Sequence, residues 1–241
     1  MSEIKVKTIE PSTGTNLTLG TSGDTVAVSS DAVKLDIWKD SGGNTLFQSN
    51  GSGTLSNVNA AIAGAGPKLI LSQTADGSTS ISFTSDIDST YDEYMFVFVN
   101  VSPVTNNVNF MFNASTDGGS NYNVVKTSTA FRAYHLESDS SALSYETGWD
   151  LAQSTADQQL MNELGDDADM SGSGILHLFA PASTTYVKQF YSRSAEYYGG
   201  NGAFDVFIAG YFNNTSAINA ITFKIASGNI DAGTIAMYGK S

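Results

Sequence analysis

From Leu69 to the C-terminus, short apolar runs alternate with turns rich in glycine, serine, asparagine and aspartate. This rhythm constrains the fold more than any other feature of the chain. Residues 223–241 show it clearly, because two apolar runs flank the turn Ser227–Asn229. Short runs with period-two alternation are typical of half-buried β-strands. Strands at a spacing of roughly 8–15 residues, separated by polar turns, predict an all-β domain that is an antiparallel sandwich, in the simplest case a jelly roll.

The predicted strands of this region follow its apolar runs. Tyr94–Val101 is almost continuously apolar, which indicates a central strand that is covered on both faces. The turn Ser115–Asn121 contains Asp-Gly-Gly, and its glycines supply the positive φ angles that a tight turn needs. The predicted set is Leu69–Leu71, Ile81–Phe83, Tyr94–Val101, Val108–Phe112, Tyr122–Val125, Ala130–Leu136, Leu143–Trp149, Ile175–Phe179, Val187–Ser192, Ala203–Ile208, Ala220–Ile225 and Thr234–Tyr238.

Residues 155–170 are the one stretch of this region without strand character. The apolar residues here do not alternate, and the segment reads TADQQLMNELGDDADM. The pattern predicts a short helix over Asp157–Leu164, ended by Gly165.

The N-terminal part of the chain has a different texture. Apolar and polar residues alternate strictly over residues 3–9, which predicts a strand. Two thin hairpins are predicted after it, the first from Asn16–Leu19 with Thr25–Val28 and the second from Leu35–Trp38 with Thr45–Phe47. Isolated hairpins are marginal in water, so this part is expected to need partners. We therefore divide the chain into a stalk or attachment region (residues 1–48), a Gly/Ser/Ala-rich linker or close-packed neck (49–68) and a sandwich (69–241).

Charge and composition exclude several classes of function. The net charge is −13, and residues 69–241 hold eighteen Asp or Glu against six Lys or Arg. So acidic a domain repels phosphate backbones, which argues against nucleic-acid binding. The start of the chain lacks the apolar core of a secretory signal, and no run is long enough to span a membrane. We expect synthesis in a cytoplasm without membrane insertion.

Residues able to do chemistry are few, and the expectation is that the protein is not an enzyme and needs no cofactor. There is no cysteine, and His135 and His177 sit within predicted strands without a neighbouring ligand. The carboxylates Asp86, Asp88, Asp92 and Glu93 flank strands as turn residues do, so a glycosidase pair is not indicated. The acidic loop Asp166–Asp169 could hold Ca²⁺ or be simply solvated, since it lacks the EF-hand pattern.

Aromatic residues are the remaining candidates for recognition. Trp149, Tyr191, Tyr197 and Tyr198 could stack on sugar rings or contact a protein partner through exposed ring faces. Burial in the sandwich core is the alternative for each of them. No catalytic, cofactor-binding or metal-binding residue is assigned.

Several segments resemble, in order and spacing, a module at the C-termini of bacteriophage tail-fibre and virion structural proteins. These are Tyr91–Tyr94, Asn100–Pro103 and Ser115–Tyr122, then Phe179–Tyr186, Ile221–Phe223, Ser227–Ile230 and Gly233–Gly239. In the N-terminal part, residues 16–26 and 38–47 resemble fibre-stalk sequences of marine phages. The family carries no defined catalytic residue, so none is transferred.

The resemblance implies a homotrimeric fibre located on the virion, with a virion-proximal N-terminus that contacts other virion proteins. Its distal sandwich would adhere to a host-surface glycan or protein. The chain is shorter than a typical long tail fibre, which leaves a short tail fibre, a capsid-attached fibre or a decoration protein as alternatives. A stand-alone carbohydrate-binding module is the alternative of another class.

Overall fold

Fifteen β-strands form the regular secondary structure of the residues that the computed structural model describes, which are 37–49, 52, 55–56, 58 and 66–241. No helix occurs among these residues. The strands are β1 (Ile37–Lys39), β2 (Thr45–Ser49), β3 (Leu55–Ser56), β4 (Lys68–Thr74), β5 (Ile81–Phe83), β6 (Glu93–Pro103), β7 (Val108–Ser115), β8 (Lys126–Leu136), β9 (Ser141–Tyr145), β10 (Gln158–Leu164), β11 (Gly172–Phe179), β12 (Lys188–Tyr198), β13 (Gly202–Phe212), β14 (Ala220–Ile225) and β15 (Ile230–Lys240). The all-β prediction is confirmed.

Most predicted strands of residues 69–241 are present, and three local predictions are wrong. Asp157–Leu164 is not helical, since β10 occupies Gln158–Leu164. Tyr122–Val125 pairs with no strand, and the strand predicted over Leu143–Trp149 ends at Tyr145. The strands predicted at residues 3–9, 16–19 and 25–28 lie outside the described residues.

The chain divides into two compact units, residues 1–64 and 65–241. In the described part of the first unit, β1, β2 and β3 form a small antiparallel sheet. Trp38 stacks on Phe47 with 5.5 Å between ring centroids. The side chains of Ile37, Trp38 and Leu55 are nevertheless 45%, 46% and 55% exposed. This sheet therefore presents large apolar side chains to solvent.

The second unit is a jelly-roll-like antiparallel sandwich. Consecutive pairing gives an eight-stranded sheet in the order β4-β15-β6-β11-β12-β13-β8-β9 and a four-stranded sheet in the order β10-β7-β14-β5. The two sheets are joined by one residue pair, Leu164 of β10 opposite Tyr198 of β12. Alternating burial along β12 gives the eight-stranded sheet an inner face toward the core and an outer face toward solvent.

The core between the sheets is dominated by phenylalanine. Phe223 of β14 is fully buried, and its ring centre lies 5.5 Å from that of Phe96 and 5.8 Å from that of Phe110. It also contacts the rings of Phe83, Phe98 and Phe112. Because these rings come from β5, β6 and β7 as well as β14, Phe223 links both layers of the sandwich.

Strand β10 is bulged, and its connection to β12 is made largely by side chains. Its register against β7 shifts twice, and Glu163 has a φ of 50°. The hydroxyl of Ser194 in β12 donates to the carbonyl of Leu160 at 2.7 Å, and both carboxylate oxygens of Glu196 lie 3.0 Å from the amide nitrogen of Asn162. These bonds replace a regular ladder between β10 and β12.

Polar side chains that face the interior explain why β10 was predicted to be a helix. Gln158 is fully buried, accepts a hydrogen bond from Ser128 and donates to the carbonyl of Trp149. Gln159 accepts from Asn109 and donates to Asn162. With both faces of the strand buried and polar residues inside, the period-two signal that marks a half-buried strand is lost.

Two buried lysines fasten loops to one end of the sandwich. Lys126 and Lys188 lie on either side of Phe212 across β8, β13 and β12, and both are fully buried. The ammonium group of Lys126 donates to the carbonyl of Ala156, and that of Lys188 donates to the carbonyls of Asn214 and Ser216. Burial lowers the pKa of Lys126 to about 8. Each cation is therefore compensated by backbone dipoles.

Replacing Phe223 with alanine is expected to lower the free energy of unfolding by about 3–5 kcal/mol, because it empties the centre of the aromatic core. Phe131→Ala is the matched control, since that ring lies on the outer face and is 41% exposed. Urea unfolding followed by fluorescence measures both. Equal losses in the two variants would contradict this description of the core.

Candidate recognition pocket

A polar pocket of about 320 Å³ is lined by side chains of β8, β12 and β13 together with Asn162 and Glu163 near the end of β10. We call it the β10 pocket. A turn after β9 forms its remaining wall. The lining residues are Arg132, Tyr134, Leu136, Glu146, Trp149, Asn162, Glu163, Tyr198 and Phe204. Its volume lies at the lower end of the range for small-molecule sites.

Arg132 of β8 is the central side chain of the β10 pocket. Its guanidinium carbon lies 4.5 Å from the ring centre of Phe204, 4.7 Å from that of Trp149 and 5.2 Å from that of Tyr134. Rings at this range attract the cation and hold its plane. The Nε atom donates to Glu146 at 2.9 Å. Within the described part of the chain, the two terminal nitrogens donate to no protein group, and no unpaired side-chain nitrogen is buried.

The carboxylates of the pocket come from two different elements. Glu146 follows β9 and is fixed by its amide, which donates to the carbonyl of Ala130, and by the hydroxyl of Ser144, which donates to its Oε1. Glu163 stands near the end of β10, where its amide donates to the side chain of Asn109. Burial, and secondarily the charge and hydrogen bond of Glu163, raise the pKa of Tyr198. Among its aromatic rings, the pocket thus offers the terminal nitrogens of Arg132 as donors and the carboxylates of Glu146 and Glu163 as acceptors.

Beneath the pocket lies a third carboxyl group, Glu196 of β12. Desolvation raises its pKa to about 8, against the opposing effects of the Asn162 amide and the Arg132 charge. The negative charge of Glu163 adds to the rise. A buried carboxyl of this kind binds its proton more tightly in the folded chain than in the unfolded chain.

The structure separates the four aromatic residues that the sequence proposed for recognition. Trp149 and Tyr198 are half-buried in the β10 pocket, and Tyr198 stacks on Phe204 at 4.4 Å. Tyr191 and Tyr197 project from the opposite side of β12 onto the outer face. Successive strand residues point to opposite faces, so Tyr197 and Tyr198 cannot share a site.

On the outer face, Tyr191 and Tyr197 belong to two separate groups. Tyr191 is 43% exposed and stacks on His177 with 4.4 Å between ring centres. The hydroxyl of Tyr197 donates to Glu137 at 3.2 Å. Between these groups, shallow depressions are floored by small side chains that include Ala133, Ala195 and Ala203.

The histidines occupy strands, and each has a carboxylate partner. His177 Nδ1 lies 2.5 Å from Glu93 Oε1, and His135 Nε2 lies 3.2 Å from Asp139 Oδ1. Glu93 is 84 positions away from His177, too distant for a search of local spacing to detect.

The acidic loop Asp166–Asp169 is exposed. Among the described residues, no group of three or more His, Asp or Glu side chains is arranged to hold a metal ion.

Three charged residues of the pocket were missed by the sequence reasoning, namely Arg132, Glu146 and Glu163. No local motif marks them, because they are brought together by β8, the turn after β9 and β10. The one available signal was an arginine within the otherwise weakly charged run Ala130–Leu136.

No protein-family model, no curated protein and no solved structure matches the chain. Within the described ranges, no helix is long and apolar enough to cross a membrane.

The pKa of Glu196 gives stability a definite dependence on pH. Its carboxyl group titrates near 4.5 in the unfolded chain and near 8 in the folded chain, so the folded chain holds the extra proton between these values. The contribution of Glu196 to stability is therefore greatest below the unfolded pKa and falls as pH rises through this window. Glu196→Gln keeps an oxygen for the Asn162 amide and removes the titration. Relative to wild type, it should gain on the order of 3 kcal/mol on going from pH 5 to pH 7.5.

Urea unfolding at the two pH values provides the measurement. Glu137→Gln serves as the control, because it makes the same substitution at an exposed carboxyl group. A Glu196→Gln variant with the same pH dependence as wild type would refute the role given to this carboxyl group.

Proposed function

We propose that this protein is a structural component of a virus particle, a homotrimeric fibre of the tail-fibre class. Its small N-terminal sheet takes part in assembly, and its sandwich is the head that contacts a host surface. Two kinds of evidence support this function, namely the sequence resemblance to phage fibre proteins and the exposed surfaces of the described residues. Its partners are two further copies of the chain, other virion proteins at the N-terminal region and a glycan or protein of the host.

The observation that carries the proposal is the apolar surface of the sheet β1-β2-β3. Three strands of three, five and two residues present Ile37, Trp38 and Leu55 to solvent. So small a sheet gains little stability by itself, whereas association with identical sheets would bury these side chains. Symmetric self-association supplies the same partner surface to every copy.

The sandwich supports the second half of the proposal. Its fold is fastened by side-chain bonds, buried lysines and a phenylalanine core, which suits a rigid head. The outer face exposes Phe131, Leu143, Tyr145 and Tyr191, and the inner side carries the β10 pocket. These surfaces offer aromatic contacts and hydrogen-bonding groups for recognition.

A capsid-attached fibre or a decoration protein remains an alternative within the same class, because both use the same self-association. A stand-alone carbohydrate-binding module is a second candidate, favoured by the β10 pocket. The oligomeric state separates the two classes, since a carbohydrate-binding module needs no copies of itself.

The full chain in solution is expected to be a trimer with about three times the 25.4 kDa mass of one chain. Trp38→Asp should shift the trimer toward monomer, since it places a charge among the apolar side chains of β1. Size-exclusion chromatography with light scattering over a range of concentrations measures both. Leu143→Asp is the control, because Leu143 is 72% exposed in the sandwich and is not required for association through β1.

A full chain that is monomeric at every concentration would overturn the fibre proposal. If Trp38→Asp leaves the trimer intact, the contacts between copies lie outside the sheet β1-β2-β3.

A further inference from the structure

We infer that the β10 pocket binds a neutral sugar ring, an uncharged hexose or N-acetylhexosamine of a surface glycan. This inference deepens the proposed function, since it names the chemistry that the head would recognise. It rests on the groups that the pocket leaves unpaired and on the charges that surround them.

The unpaired groups of the pocket match vicinal hydroxyls. The terminal nitrogens of Arg132 form a planar fork of donors, and neither of them bonds a described residue. The Oε2 atom of Glu146 accepts no hydrogen bond in the described part of the chain, while its Oε1 already accepts from Arg132 and Ser144. A sugar hydroxyl both accepts and donates, so neighbouring hydroxyls can bridge the guanidinium and a carboxylate.

The rings of the pocket give it apolar walls that the C–H groups of a sugar can contact. Trp149, Tyr134, Tyr198 and Phe204 line the same space as Arg132 and Glu163. Their orientation is fixed, because Tyr198 stacks on Phe204 and Arg132 lies against three of the four rings. Walls held in place before binding reduce the entropy lost when a ligand binds.

Electrostatics exclude charged ligands from the pocket. An anion would meet the carboxylates of Glu146 and Glu163 and the overall negative charge of the domain. A cation would lie beside the positive charge of Arg132, which is held among the rings of the pocket. A neutral polyhydroxyl ring avoids both penalties. The volume of about 320 Å³ lies at the small end of the range for ligand pockets, which suits a ligand of one sugar ring.

Intrinsic fluorescence offers a direct test, because the chain has only two tryptophans and one of them lines the pocket. In a Trp38→Phe background, the emission of Trp149 is followed during titration with methyl glycosides. The panel contains neutral hexoses and N-acetylhexosamines, an anionic glucuronide and a cationic glucosaminide. We expect a saturable change with at least one neutral glycoside and none with the charged ones.

Matched substitutions locate the binding. Arg132→Lys removes the planar donor fork but keeps the charge, and Glu163→Gln keeps the shape but removes a strong acceptor. Each should weaken binding by about tenfold or more. Arg193→Lys and Glu137→Gln are the controls. Arg193 also stacks on a ring, at 4.9 Å from Phe207, and also pairs with a carboxylate, but it lies on the outer face.

The inference is overturned if no neutral glycoside changes the emission, if a charged glycoside binds best, or if the control variants lose as much affinity as the pocket variants. Light scattering on the chain with Trp38 retained, measured in parallel, keeps this result separate from the fibre proposal. A trimer without sugar binding would overturn the glycan site alone. A sugar-binding monomer would overturn the fibre and leave the site.

Discussion

The structure of the sandwich depends on how β10, the edge strand of the four-stranded sheet, is joined to β12 of the other sheet. Only one residue pair of the β-ladder type, Leu164 with Tyr198, connects this strand to β12 through the backbone. Ser194 and Glu196 provide the remaining bonds through their side chains. Because β10 ends beside Tyr198, its last residues also form one wall of the β10 pocket. The closure of the sandwich and the geometry of the candidate site thus share the same bonds.

This arrangement explains which parts of the fold were predictable. Strands with one buried face, such as Ile81–Phe83, carry the alternation of apolar and polar residues in their sequence. Strand β10 does not, because Gln158, Gln159 and Asn162 are buried and bonded to partners on other elements. A polar residue in a single sequence gives no sign that a distant residue will satisfy it.

The candidate site was predictable only in part, and for a related reason. Aromatic residues stand out in a sequence, so Trp149 and Tyr198 could be proposed, but Tyr191 and Tyr197 could be assigned to the outer face only when the register of β12 was known. Arg132 and Glu146 were not identified, since their meaning comes from the 2.9 Å bond between them and from the rings around the guanidinium. The site depends on the topology of the sheets, whereas most of the strands follow from the local sequence pattern.

We propose that the chain is a fibre with an assembling N-terminal part and a recognising head. Electron cryomicroscopy of virus particles that contain this chain, labelled with an antibody fragment against the sandwich, tests that claim most directly. The account predicts three fragments grouped around the distal tip of each labelled appendage. Fragments bound singly and flush with the particle shell, or intact particles that bind none, would contradict it.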